Sequence, residues 1–230
     1  MVATAIDPAT PLTIPAGAIT LAARLVQPAD ARALYVFGHG AGAGMAHPFM
    51  VAMAHALATR GVATLRWEMP AMTAGKRLAD RPAVVRPLAR AACAYAAATW
   101  PGLALVAGGK SMGGRMTSEA CAEAPIAGLR GLAFLGFPLH PAGAPAISRA
   151  AHLSMVALPM LFVSGGKDAL ATPALLAEVV AGLGPRARLR TILDADHGLD
   201  VPRRAGIDPI AIAADEIAGW LEKLPRPRVP

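Results

Sequence analysis

Three residues whose types could together support acyl transfer stand far apart along this chain: Ser111, Asp168 and His197. The serine lies in Gly109-Lys110-Ser111-Met112-Gly113, directly after the apolar run Leu103-Ala104-Leu105-Val106-Ala107-Gly108. That pattern predicts a buried strand entering a sharp turn with the serine at its apex, the G-x-S-x-G nucleophile elbow. Glycines flank the serine because a strained turn leaves no room for Cβ atoms two residues to either side. A serine hydroxyl is a weak nucleophile until an imidazole takes its proton. A carboxylate then holds the imidazole in one tautomer and stabilises the imidazolium that forms. Asp168 follows the apolar run Pro159-Met160-Leu161-Phe162-Val163-Ser164, and His197 follows Arg188-Leu189-Arg190-Thr191-Ile192-Leu193. Each is expected in a loop just beyond a strand, where the sites of open α/β sheets are built.

Other residues compete for these roles. Asp194 and Asp196 are carboxylates, but they lie too near His197 in sequence to orient its ring from behind. His55 falls within a predicted helix, and His140 and His152 lie between strands with no elbow nearby, so all three are read as packed or solvated. A fourth element stands near the start, where the apolar run Leu34-Tyr35-Val36-Phe37-Gly38 precedes His39-Gly40-Ala41-Gly42-Ala43-Gly44. Such a loop after an early strand supplies one backbone amide to the oxyanion hole, and the residue after the nucleophile supplies the other. The expected donors are the N–H groups of Ala41 and Met112, with His39 orienting the loop and His47 on the rim. Arg66, Arg77 and Arg81 are expected beyond the end of a strand on the same side. With His39, Gly40 and Glu68 they form the expected pocket wall and favour a substrate carrying a carboxylate or phosphate. On the alternative reading, Arg66 and Glu68 pair with each other and brace the site.

These motifs resemble a known family. The segments His39-Gly40-Ala41-Gly42-Ala43, Gly109-Lys110-Ser111-Met112-Gly113-Gly114-Arg115, Gly166-Lys167-Asp168 and Asp196-His197 are similar to small α/β-hydrolases of the dienelactone-hydrolase-like group. Within that group the resemblance is greatest to the branch named after testis-expressed protein 30 and its bacterial relatives. Leu65-Arg66-Trp67-Glu68-Met69-Pro70-Ala71-Met72, with Gly75-Lys76-Arg77 and Asp80-Arg81-Pro82 beyond it, resembles a stretch distinctive of that branch. The chain departs from it at Ala71, where an aromatic is more usual, and at Gly198-Leu199, where Ser-Phe is. The resemblance spans roughly residues 20–222. It implies a serine-hydrolase fold and triad and no particular substrate.

The elements that must position these residues follow from alternation. After an N-terminal arm over 1–17, residues 18–26 are expected to form an antiparallel edge strand. Parallel strands are expected near 34–38, 62–67, 103–108, 131–135, 159–164 and 187–193. Helices are expected near 48–60, 83–99, 112–124, 173–183 and 209–223. Thr172-Pro173 and Asp208-Pro209 each pair an N-cap with proline at the first helical position. Pro87 is expected to kink or delay the second helix. Strand–helix alternation predicts a mainly parallel sheet with helices on both faces: a single α/β-hydrolase domain over 18–224, with no separate lid, at most a short flap over 136–158, and a basic, Pro-rich tail over 225–230.

Composition narrows the classes further. With 230 residues, 55% hydrophobic and 16% charged, one compact α/β domain is the expectation. The net charge of +7 invites a nucleic-acid reading, but aromatics at 4% offer no stacking platform, so the basic residues are read as a solvated surface. Cys93 and Cys121 lack metal-like spacing and read as buried thiols of a reducing compartment. No basic segment leads an apolar stretch at the start, so no signal peptide is evident and a cytoplasmic location is expected. The uncharged stretches 33–59 and 91–109 are broken by glycine and proline, which argues against a membrane span. A phosphate-binding P-loop would need glycine at position 104, where Ala104 stands. Gly38-His39-Gly40 with Ala43 and Glu68 loosely matches a dinucleotide fingerprint, yet the loop runs on to His47-Pro48 before a helix begins. The sequence therefore points to a serine hydrolase of ester or related acyl bonds, its partner a small-molecule acyl substrate, with no metal or organic cofactor, nucleic acid or membrane. A non-catalytic protein on the same fold is the alternative.

Overall fold

Eight strands and six helices alternate as the hydrophobic pattern requires, in a computed structural model that describes residues 9–76 and 79–224. Strands β1 (Thr10–Ala16), β2 (Ile19–Val26), β3 (Ala33–Gly38), β4 (Val62–Trp67), β5 (Ala104–Lys110), β6 (Leu129–Leu135), β7 (Met160–Gly165) and β8 (Ala187–Ile192) form one sheet. Its order is β1-β2-β4-β3-β5-β6-β7-β8. Only β1 and β2 run antiparallel to their neighbours, and β3 to β8 are parallel. The helices are α1 (Pro48–Ala58), α2 (Pro70–Thr73), α3 (Pro82–Thr99), α4 (Met112–Glu123), α5 (Pro173–Gly182) and α6 (Pro209–Lys223).

Central strands are buried on both faces, so they read as continuous apolar runs rather than alternating ones. Along β3, Leu34 and Val36 pack into the core under α3 and α4. Tyr35 and Phe37 pack oppositely, with Met50, Met53 and Leu57 of α1 and Ile217 of α6. After β3 the chain crosses to β4 on one side, and after α3 it returns to β5 on the other. This reversal leaves a crevice beyond the carboxyl ends of β3 and β5, where open α/β sheets bind ligands.

Three expectations need correction. The edge strand is β1, within the segment read as an arm, and β2 lies one place inward. Pro11 and Pro15 lack N–H donors, which an edge strand tolerates because one side faces no partner. Pro87 does not delay α3, which begins at Pro82, in the first-turn position that suits proline. Thr172 occupies the N-cap of α5 without capping it, its hydroxyl lying 3.0 Å from His140 Nε2 instead. Asp208 caps α6 as expected, accepting from the N–H groups of Ile210 and Ala211. Within 136–158 a 3₁₀ turn over Ser148–Met155 packs Ala150 and Leu153 into the core, and no lid domain forms. Residues 1–8 of the expected arm and the tail over 225–230 lie outside the described residues.

Candidate active site

Strand β5 delivers Ser111 into a turn that only its neighbours permit. Ser111 has φ 48° and ψ −114°, a rare conformation for a non-glycine residue, and it stands immediately before α4. The flanking glycines have a measurable reason. A Cβ on Gly109 would lie 2.2 Å from the Gly38 carbonyl oxygen, and one on Gly113 would lie 2.3 Å from the same atom. The end of β3 thus presses against both sides of the elbow, and glycine alone leaves space.

The three separated residues meet in one row. Ser111 Oγ lies 2.9 Å from His197 Nε2, and His197 Nδ1 lies 2.9 Å from both carboxylate oxygens of Asp168. Nδ1–H donates to the carboxylate, so Nε2 is left to accept from the serine hydroxyl. Asp168 is buried, and its position is over-determined: Oδ1 accepts the Leu170 N–H at 2.8 Å. Leu170 in turn accepts from the N–H groups of Leu139 and His140. His140, read from sequence as packed or solvated, is packed and holds this loop through Thr172, whose N–H it accepts at 3.1 Å. The rival acids are engaged elsewhere, Asp194 with Lys167 at 2.7 Å and Asp196 with the Asp200 N–H at 3.0 Å.

A second serine–histidine pair has different surroundings. Ser118 Oγ lies 2.7 Å from His152 Nε2, but Ser118 is buried within α4 and donates to the Arg115 carbonyl. Burial, and Arg115 beside it, push the His152 imidazole down to about 4, and its hydrogen bond to the backbone of Arg149 opposes them. Among the described residues no carboxylate holds this ring, so there the pair lacks the third member that acyl transfer needs.

The loop after β3 is clamped from β4. Glu68 accepts the Met45 N–H at 3.0 and 3.3 Å, and Arg66 donates to the Met45 carbonyl at 3.0 Å. His39 Nδ1 lies 2.8 Å from the Gly40 carbonyl, Nε2 accepts the Met69 N–H at 3.0 Å, and Glu68 Oε1 lies 2.9 Å from the same nitrogen. His39 thus contacts the loop after β3 at Gly40 and the segment after β4 at Glu68 and Met69. Arg66 and Glu68 do not pair with each other; they grip opposite sides of Met45.

A cavity of about 590 Å³ opens beside the serine, lined by Gly40, Ala41, Phe49, Lys110, His197 and Leu170 among others. His47 lines it too and caps α1 by accepting the Phe49 N–H. Several expected pocket residues are absent from its wall. Arg66 is buried beneath the clamped loop, with its Nε unpartnered, and burial lowers its pKa. His39 and Glu68 stand behind that loop, and Arg81 is exposed at the start of α3. Arg77 lies outside the described residues. The cation in the wall is Lys110, which donates to the main-chain carbonyl of His197. Its signal was in the motif itself: a lysine ending an otherwise apolar buried strand. Among the described residues no group of three or more His, Cys, Asp or Glu is placed to hold a metal ion, and no helix is long and apolar enough to cross a membrane.

The fold defines an α/β-hydrolase domain, with this hydrogen-bonded row beyond the ends of its strands. The Alpha/beta hydrolase domain family model matches residues 31–222, and the chain belongs to that family. Among solved structures it is similar to a dienelactone hydrolase from Anabaena variabilis (TM-score 0.77, 20% identity), covering 95% of this chain and 99% of that one. It is similar also to the esterase domain of a Rhodothermus marinus protein (TM-score 0.73, 18% identity, covering 95% and 99%). A third is a lidless serine hydrolase from Xanthomonas campestris (TM-score 0.71, 19% identity, covering 99% and 100%).

Proposed function

We propose that the protein hydrolyses an ester or related acyl bond through a covalent acyl intermediate on Ser111. The observation that carries this reading is the hydrogen-bonded row Ser111–His197–Asp168, with the serine at a strained apex facing a cavity. Ser111 attacks the acyl carbon as His197 takes its proton, and Asp168 stabilises the imidazolium. His197 then protonates the leaving group and afterwards activates the water that releases the acyl group. The Met112 N–H, at the first position of α4, has no acceptor within its helix. With the N–H of Ala41, a residue of the cavity wall, it is the oxyanion donor we infer, and each such donor contributes about 10²–10³ in rate.

The substrate we infer is a small or medium acyl compound, since the wall is mostly apolar and no lid covers it. The expectation of an anionic substrate loses its basis at Arg66 and Arg81, and Lys110 already faces the charges of Asp168, Asp196 and Asp200. The dienelactone and ester substrates of the similar proteins support ester chemistry here. The segment from Leu65 to Met72 supports placement in the testis-expressed protein 30-like branch. Buried, unpaired Cys93 and Cys121 support a reducing, cytoplasmic setting.

A fluorophosphonate probe tests the reading. Wild type is expected to be labelled and Ser111→Ala is not. Absence of labelling where a control hydrolase reacts would reject hydrolysis in favour of a non-catalytic role.

A further inference from the structure

We propose that Lys110 is a positioning residue for the acyl-transfer site: its side chain ties the histidine loop to the nucleophile's own strand and thereby sets the imidazole over Ser111. This rests on the hydrolase reading above and adds a residue that the triad does not include.

The histidine loop, residues 194–200, is bonded chiefly to itself and to the end of β7. The Asp196 N–H donates to the Asp200 carbonyl and the Leu199 N–H to that of Asp196, while the Lys167 N–H donates to Ala195. Leu199 has φ 65°, a left-handed conformation that a leucine holds only when its surroundings impose it. Among the described residues, two hydrogen bonds join this loop to β5 and its turn. One is the Ser111–His197 contact itself, and the other runs from Lys110 Nζ to the His197 carbonyl. Lys110 and Ser111 are adjacent, so there is almost no slack between the two tethers. Removing the lysine leaves the imidazole positioned by Asp168 and by the bond to Ser111 that must break and re-form in each turnover.

A glycine just beyond a third strand makes the meeting possible. Gly136 directly follows β6, with φ 66°, and a Cβ there would lie 2.9 Å from both Lys110 Nζ and the His197 carbonyl oxygen. The ends of β5 and β6 and the loop after β8 therefore converge on one ammonium-to-carbonyl contact.

The charges around Nζ are named easily. Asp168 faces it from the loop after β7, and Asp196 and Asp200 from the histidine loop. The His197 carbonyl accepts from Nζ, and from α1 comes the ring of Phe49, 5.6 Å away at its centroid, with His47 on the same cavity wall. Burial pushes the ammonium from its ordinary 10.5 down to about 8, against the upward pull of the three carboxylates. Hydrogen bonds from a charged donor are roughly twice as strong as neutral ones. The tether therefore weakens as pH rises through about 8.

The labelling rate of the whole protein by the fluorophosphonate, from pH 6.5 to 9.5, reads this without knowledge of the substrate. Wild type should slow as pH passes about 8. Lys110→Met should label about 10–10²-fold more slowly at pH 7, because displacement of a reacting group by about 1 Å costs up to about 10²-fold. It should also lack the alkaline decline. Lys110→Arg, which keeps its charge, should move that decline above pH 9. Thermal melts separate the effect from unfolding. Lys110 binds its proton more weakly folded than unfolded, so its contribution to stability rises between about 8 and 9 as labelling slows. A wild-type rate that is flat from pH 7.5 to 9, or Lys110→Met labelling at the wild-type rate, would overturn the proposal while leaving the hydrolase reading intact. So would a defect confined to KM for anionic esters, which would make Lys110 a substrate contact. No labelling of wild type at any pH would instead remove the hydrolase reading.

Discussion

Glu68→Ala separates the clamp on the β3 loop from the triad it serves. Glu68 touches neither Ser111 nor the cavity wall, yet its carboxylate receives the Met45 N–H and lies against His39. Truncation strands one partly buried backbone donor, which costs about 1–3 kcal/mol. His39 keeps its bonds to Gly40 and Met69, and the Glu68 side chain is 14% exposed, so water partly replaces it. The net loss should therefore sit near the low end, about 1–2 kcal/mol, which for a domain of this size lowers the Tm by roughly 2–8 °C. The kinetic effect is set by Ala41, held between the His39–Gly40 contact and the clamped Met45. Complete loss of one oxyanion donor costs about 10²–10³ in kcat, so a displaced donor should cost about 10–10². KM for a p-nitrophenyl ester should change less than about threefold, because an interaction made only in the transition state lowers kcat without altering ground-state binding. Steady-state kinetics beside a thermal melt gives both numbers. A lowered Tm with kcat within twofold of wild type would refute the link between this clamp and catalysis.

Two further outcomes test the framework. Gly113→Ala places a Cβ 2.3 Å from the Gly38 carbonyl oxygen, where only backbone can yield. It should cost about 3 kcal/mol by urea unfolding, whereas Gly102→Ala, with nothing within 4 Å of its Cβ, should be near neutral. His152 stays neutral in the folded protein down to about 4, while the unfolded chain protonates it near 6.5. The unfolded state binds more protons in that window, so stability should fall as pH drops through it, by on the order of 2 kcal/mol after allowance for partial exposure. His152→Gln should remove that part of the acid sensitivity in urea titrations at pH 7 and 4.5.

The strands and helices that carry the site were legible because their signals are local. β4 and α6 span the residues that apolar pattern and capping indicate. The G-x-S-x-G turn, too, declares its strain through its glycines. β1 was hidden because Pro11 and Pro15 argue against a strand unless its outer edge is unpaired, and edge position belongs to the sheet rather than to the segment. Arg66 shows the same limit from the other direction. Its place near a strand end suggested a pocket cation, but β4 is buried throughout and the loop after β3 passes close enough for Met45 to take the guanidinium, so it is interior.

By itself, then, the sequence determined the three candidate side chains: a serine, a carboxylate and a histidine, each in a loop after a strand, in an order that one sheet topology brings together. The tertiary structure decided which neighbours hold them. Glu68 and Arg66 turned out to clamp Met45 rather than pair, His140 to steady the Asp168 loop, and Lys110 to reach the His197 carbonyl past Gly136. The physical reason is range. Backbone propensity and apolar period act over a few residues, whereas these contacts join residues 21 to 87 positions apart and exist only once strand order and register have set their distances.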